Sequence, residues 1–244
     1  MVGGAAAADA IARAHRLPDM RVGLHLNLID GHPVLPQTQI PHLVRDNGKF
    51  DRNMARAGVR FFFFPSVRRQ LACEIRAQFE AFRATGLALD HVNAHQHMHL
   101  HPYVARLIIA IGRDYGMKAV RVPSEPVAVL RRAFHGERYR SPASHGWNAV
   151  LRRRLQRAGL RTNDHVFGLA WSGGMVEARI LGLVPHLPDG ISEIYFHPAT
   201  ERTRSLVAAM PSYRHPEELA ALLSPKVRNC IAESGIRLVS YSDL

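Results

Sequence analysis

Residues 90–102 read DHVNAHQHMHLHP, and this stretch decides both the fold class and where chemistry is to be sought. His91, Asn93 and His95 stand at i, i+2 and i+4, which on an extended chain puts all three on one face and leaves Val92 and Ala94 on the other. A strand over 87–93 therefore runs into a loop carrying His97, His99 and His101. Pro102 suits a helix's first turn, and apolar periodicity carries that helix over 103–115, closed by Gly116. Strand, His-rich loop and helix in succession form the repeating unit of an α/β protein, in which ligands gather where strands end.

The rhythm extends in both directions. Upstream, 21–28 alternates strictly, with Val22, Leu24, Leu26 and Leu28 apolar and Gly23, His25 and Asn27 opposite; that second face is too polar to pack on a helix and suits a barrel lumen. Helical patterns cover 5–16 and 66–85, and a Gly/Pro-rich loop covers 31–49. Downstream come a strand over 118–122, a turn at Pro123 and Pro126, a basic helix over 147–157, and strands over 165–170 and 191–196 with a helix near 176–186 between them. Helices over 216–223 and 225–234 precede a last strand, 236–241. No Pro/Ser linker divides the chain, so residues 1–244 are expected to form a single α/β domain, a parallel sheet or a barrel with right-handed crossovers.

Composition excludes several classes. At 244 residues and 47% hydrophobic content, the chain can bury a core and is not disordered. The 32 Lys and Arg against 20 Asp and Glu give +12, with lysine only at 49, 118 and 226. Arg152–Arg154 share a helical pattern with Val150, Leu151 and Leu155, so this excess reads as a solvated face, and no specific nucleic-acid partner is expected. Cys73 and Cys230 lack any CxxC partner, which suggests neither a disulfide framework nor a thiolate zinc site and fits a reducing, cytoplasmic setting. The run Phe61–Phe64, stopped by Pro65, is far short of the roughly 20 residues of a membrane span and reads as core or lid lining, with peripheral membrane contact left open. The first residues, MVGGAAAADAIARAH, lack a basic leader and carry Asp9, so they do not read as a secretory signal. They begin a helix with no strand before it, as though inside a repeating unit.

Three strand ends supply histidines: His25, His95, and His197 in SEIYFHPAT (192–200), where Pro198 stops the strand directly after it. Neutral imidazole is the commonest protein ligand for borderline divalent metals, and its second nitrogen needs an oriented partner, which Asn93 or Asp90 could provide. A catalytic site keeps an open position, so one or two histidines of the 91–101 tract suffice. His197, as an imidazolium, could protonate a leaving amine. Arg121 in RVPSEP (121–126) is a candidate anchor for an anion or a sugar hydroxyl, and Trp171 in LAWSGG (169–174) a candidate stacking surface.

GLHLNL (23–28), HVNAHQHMHLHP (91–102) and EIYFHPAT (193–200) resemble the YdjC-like carbohydrate deacetylases. RVPSEP, FGLAWSGG (167–174), LPDGISEIYFHPAT (187–200) and YRHPEELAALLSPKVR (213–228) resemble most the branch associated with hopanoid biosynthesis. The resemblance implies a distorted (β/α) barrel of the polysaccharide-deacetylase type. It also implies a hydrolase that removes an acetyl group from an N-acetylated amino sugar or glycolipid, a glycosylated hopanoid among them. One divalent metal, magnesium or zinc foremost, would polarise the amide carbonyl and bind the attacking water. Carried over by motif, His25 and His95 would be metal ligands and His197 the acid. Two departures stand out. The family's Asp-Asp-Phe-Gly motif, whose carboxylates furnish a metal ligand and the general base, occurs nowhere in the chain; MVGG resembles the end of the family's second strand, so the first strand and helix are expected to be missing and activity impaired. Asn93 stands where many relatives carry Asp. The rival expectations are a catalytically inactive sugar or metal binder and a basic binder of nucleic acid or anionic membrane. The oligomeric state is left open, a dimer being compatible.

Overall fold

The computed structural model describes residues 1–139 and 145–244. Two compact units share the chain: residues 1–121, 146–162 and 240–244 form the first, and residues 122–145 and 163–239 the second.

The first unit is built on two parallel strands, β1 (Val22–Leu26) and β2 (Leu89–Ala94), in a register that opposes His25 to Asn93 and Leu26 to Ala94. Single parallel bridges, Val92 to Val120 and Ala119 to Arg161, continue the pairing. Leu24, Leu26, Val92 and Ala94 are buried, as strict alternation requires of the apolar face. Helix α1 (Ala7–His15) buries none of its residues; α2 (Met54–Phe63) starts at Asn53, whose side chain accepts from Arg56 N–H. Helix α3 (Pro65–Arg83) buries Leu71, Ile75 and Phe79 at four-residue spacing, and α4 (Pro102–Asp114) buries Val104, Ile108 and Ile111; each stripe is the core face of an amphipathic helix.

On α3 that stripe is interrupted by two buried polar residues, Glu74 and Gln78. The Glu74 carboxylate accepts from the backbone N–H groups of Val34 (2.9 Å) and Leu35 (3.0 Å) and from Gln78 Nε2 (2.8 Å). Gln78 brackets Asn27, accepting from its N–H at 2.9 Å and donating to its carbonyl at 2.6 Å. The Gly/Pro-rich loop and the end of β1 are thus pinned by α3, where burial without partners would be costly.

In the second unit, α5 (Val127–Ala133) precedes α6 (His145–Arg157), most of which belongs to the first unit. Strands β3 (His165–Phe167) and β4 (Ser192–Ile194) pair in parallel, and α7 (Glu177–Leu183), α8 (Arg204–Ala209), α9 (His215–Leu223) and α10 (Pro225–Glu233) complete it. Its core joins Leu130, Phe167, Met175, Ile180, Leu183 and Ala221. Two further buried carboxylates hold loops here. Glu125 accepts from the N–H groups of Gly168, Leu169 and Ala170 at 2.8–3.0 Å, and Glu218 from those of Met175 (2.8 Å) and His197 (2.5 Å).

The alternating α/β architecture expected from the sequence is present, with two corrections. The 118–122 segment is reduced to isolated bridges. Residues 236–241 form no strand: Ser240 and Asp243 close a capping box that turns the chain into a short 3-10 helix, Tyr241–Asp243, so backbone groups that a ladder would need are used locally.

Candidate functional site

The register of β1 against β2 brings their polar faces together. Gly23 faces the His91 ring so closely that a Cβ there would lie 2.5 Å from His91 Cε1, so β1 requires glycine at this point. The His91 ring stacks on Tyr241 with centroids 4.5 Å apart, and its Nδ1 bonds Asp90 at 2.8 Å. Asp90 in turn accepts from Ser242 N–H and O–H. His91 is thereby committed to packing.

One residue pair further along lie His25 and Asn93, with His25 Nδ1 and the Asn93 amide 2.5 Å apart. The His95 ring stands edge-on to His25 at 5.7 Å. Arg121 is buried, and its guanidinium lies 3.1 and 3.3 Å from the same Asn93 amide. His25, His95 and Arg121, three residues singled out in the sequence, therefore meet at the ends of β1 and β2. Backbone strain gathers at the same place: Asp30 follows β1 with φ 47°, and Gln96 and His97 follow His95 with φ 47° and 56°. Non-glycine residues in this region cost roughly 1–3 kcal/mol each and cluster at functional sites.

Burial pushes the His25 imidazole down to about 3. Burial also holds His95 below its ordinary value, with the Asp30 charge pulling the other way. Both rings are neutral near pH 7, the form that binds metals. With Nδ1 of His25 engaged by Asn93, Nε2 is the ring atom left for a metal, once it carries no proton. The donor type suits a borderline divalent ion, but the donor number falls short: among the described residues no group of three or more His, Cys, Asp and Glu side chains is arranged to hold a metal, whereas protein sites for zinc supply three or four ligands.

Two more rings of the histidine tract are structural. His99 Nε2 donates to the Arg121 carbonyl at 3.0 Å, and His101 Nε2 to the Gly58 carbonyl at 3.1 Å. Periodicity alone gave these rings the same standing as His95.

His197 belongs to the second unit, just beyond β4. Its N–H is held by Glu218 (2.5 Å) and its carbonyl accepts from His215 Nδ1 (2.5 Å). Its ring lies between Tyr195 and Tyr213, at 5.5 and 5.0 Å. Tyr213 packs so tightly on Gly173, at φ 78°, that any Cβ there would overlap its ring. The sequence singled out His197 but not the residues that hold it, although Glu218 and His215 sit in the YRHPEELAALLSPKVR motif. Trp171 packs against Phe134 (4.9 Å) under the Arg179 guanidinium (4.7 Å), a core role for the residue considered as a stacking surface.

A family model described as YdjC-like protein matches residues 1–233. Curated relatives include a carbohydrate deacetylase of Geobacillus stearothermophilus, 28% identical over 235 residues, covering 96% of this chain and 79% of that one. Another, from Vibrio vulnificus (strain CMCP6), is 27% identical and covers 100% and 83%. A chitooligosaccharide deacetylase of Yersinia pestis (strain Pestoides F) is 28% identical and covers 93% and 79%. A crystal structure described as that of a candidate cellobiose-phosphate cleavage protein from Enterococcus faecalis V583 superposes with a TM-score of 0.70 at 22% identity, covering 96% of this chain and 82% of that one; that likeness is one of fold.

Proposed function

Because the chain belongs to the YdjC-like protein family, whose model spans residues 1–233, we propose that its site serves the removal of an acetyl group from an N-acetylated amino sugar. The observation that carries this reading is the neutral pair His25 and His95, 5.7 Å apart at the ends of adjacent parallel strands. In this reading the two imidazoles would contribute two ligands to one divalent ion, zinc or magnesium, which when bound would supply Lewis acidity toward the amide carbonyl and water. Asn93 orients His25, and Arg121 offers its guanidinium donors to the sugar or its anionic substituent. His197 gives a proton to the departing amine nitrogen, its backbone held by Glu218 and His215. A distorted (β/α) barrel formed by a single domain, and a cytoplasmic setting, go with this proposal; among the described residues no helix is long and apolar enough to cross a membrane. The motifs RVPSEP, FGLAWSGG and YRHPEELAALLSPKVR support the hopanoid-associated branch and, with it, an N-acetylated glycosyl hopanoid as substrate.

Residues 1–244 contain no Asp-Asp-Phe-Gly motif, so the third ligand and the base that the resemblance assigns to it are not supplied by this sequence. We therefore expect weak metal binding by His25 and His95 and negligible turnover from residues 1–244. The test is acetate release from N-acetylated chito-oligosaccharides and a glycosylated hopanoid, with zinc titration by calorimetry, for wild type and His25→Ala. Zinc binding lost in His25→Ala without acetate release supports the reading. Rapid acetate release abolished by His25→Ala overturns the impairment, and zinc binding indifferent to His25→Ala overturns the site. Sugar binding without acetate release would favour the second reading, a binder that keeps the pocket.

A further inference from the structure

We propose that the first unit docks on an anionic lipid surface through an arginine-lined cleft and the three phenyl rings beside it. The cleft, of about 630 Å³, lies among α3, α4 and α6 and is lined by Arg68, Arg106, Arg113, Arg154 and Arg157 around Tyr103. Among the described residues no Asp or Glu lines it. None of these five guanidiniums is in an ion pair among the described residues, whereas Arg13, Arg52, Arg56, Arg76 and Arg83 of the same unit each pair with a carboxylate. Arg68 lies over the Tyr103 ring at 4.7 Å and donates to the Phe62 carbonyl, while Arg154 donates to the Pro102 carbonyl at 2.9 Å. Arg68 and Arg154 are thus held in place by neutral partners, and all five charges are left without an ion pair among the described residues.

The phenyl rings stand at the corner where α2 ends and Pro65 begins α3. Phe61 is buried and anchors the corner; Phe62, Phe63 and Phe64 are 44%, 68% and 52% exposed. Phe62 lines the cleft, and with its exposed neighbours Phe63 and Phe64 it joins the arginines in the two elements of interfacial membrane binding: apolar side chains at the acyl boundary and cations at the headgroups. Isolated exposed apolar residues need no explanation, but a contiguous group rimmed by charge marks an interaction surface. A nucleic acid fits less well, because the Tyr103 ring among the arginines is already covered by Arg68 (4.7 Å) and Arg106 (6.0 Å) rather than open for base stacking. Docking of this kind does not depend on amide hydrolysis by the chain.

The test is co-sedimentation of the 244-residue protein with vesicles of phosphatidylcholine alone and with about 30% phosphatidylglycerol, at low and high salt. Binding is expected at least tenfold stronger on the anionic vesicles and weakened by salt. Each of Arg106→Gln and Arg157→Gln should lower partitioning roughly fivefold, the equivalent of ~1 kcal/mol per cation near an anionic surface. Phe63→Ser should lower it about tenfold with an unchanged circular dichroism spectrum. Absence of vesicle binding, or equal binding to neutral and anionic vesicles, overturns the proposal. So does a salt-steep affinity for RNA or DNA that loses strength in the arginine variants while vesicle binding is indifferent to Phe63→Ser.

Discussion

The Asn93 amide touches His25 Nδ1 at 2.5 Å and the Arg121 guanidinium at 3.1 Å, and one orientation satisfies both: the amide nitrogen donates to His25 and the amide oxygen accepts from Arg121. His25 then carries its proton on Nε2, the atom a metal would need bare. Freeing Nε2 requires the amide to turn and present its NH2 group to the guanidinium. A carboxylate has no such conflict, since its two oxygens accept from His25 Nδ1–H and Arg121 together. Asn93→Asp is therefore expected to tighten zinc binding by about tenfold or more, the scale on which partners of metal-bound histidines act. Competition with a chromophoric chelator measures it, and unchanged or weaker binding would remove Asn93 from this role.

Gly23 tests how rigidly His91 is held. The His91 ring cannot retreat from a Cβ at position 23 without giving up its stacking on Tyr241 and its bond to Asp90. Gly23→Ala should cost about 1–3 kcal/mol, the usual range for overpacking, read as a lowered urea midpoint. A neutral substitution would mean that the β1–β2 face is softer than its packing implies.

Glu125 carries three backbone N–H groups on one buried carboxylate. Glu125→Gln keeps the shape but replaces one acceptor with an NH2 group aimed at donors, leaving at least one buried N–H unsatisfied. A loss of about 1–3 kcal/mol is expected, with amide exchange accelerated first at Gly168, Leu169 and Ala170. Slow exchange retained at those three amides in the variant would refute the assignment.

These residues mark where sequence reading stopped. Alternation in 21–28 and 87–93 placed His25, Asn93 and His95 on one face, because period-2 patterning is local and both strands bury their other face. The choice among five histidines was not local: it rests on register, which opposes His25 to Asn93 and lets the Gly58 and Arg121 carbonyls claim His101 and His99. Glu74, Glu125 and Glu218 were invisible for the same reason. A buried carboxylate is identified by donors 20 to 45 residues away, roughly, and composition counts it as surface charge. Helices α5 and α8, of seven and six residues, are too short to show a 3.6-residue period, and α2 is masked because Phe61–Phe64 reads as an apolar patch before it reads as a helix end.

The remaining imidazoles give the protein a definite pH response. Burial holds His99 well below its ordinary value and His101 below it. Each Nε2–H already donates to a carbonyl, and each Nδ1 is enclosed with no partner among the described residues, so a second proton would have no acceptor. Facing groups oppose it too: His97 and Arg121 for His99, and Arg68 for His101. The folded values lie below the unfolded value near 6.5, so as pH falls through 6.5 the unfolded chain binds protons that the native state refuses, and stability is lost toward acid. Each such ring contributes up to about 1.4 kcal/mol per pH unit. Glu74 and Glu125, raised by burial, act with the opposite sign nearer pH 4.5, and Asp51, lowered to about 2 by its Arg56 hydrogen bond, acts only below it. The decisive quantity is therefore the difference between wild type and His101→Gln, whose amide can still donate to Gly58. Urea midpoints at pH 7, 6 and 5 should fall with acidification in both proteins and fall less in the variant. Parallel slopes would show that His101 is protonated in the folded state.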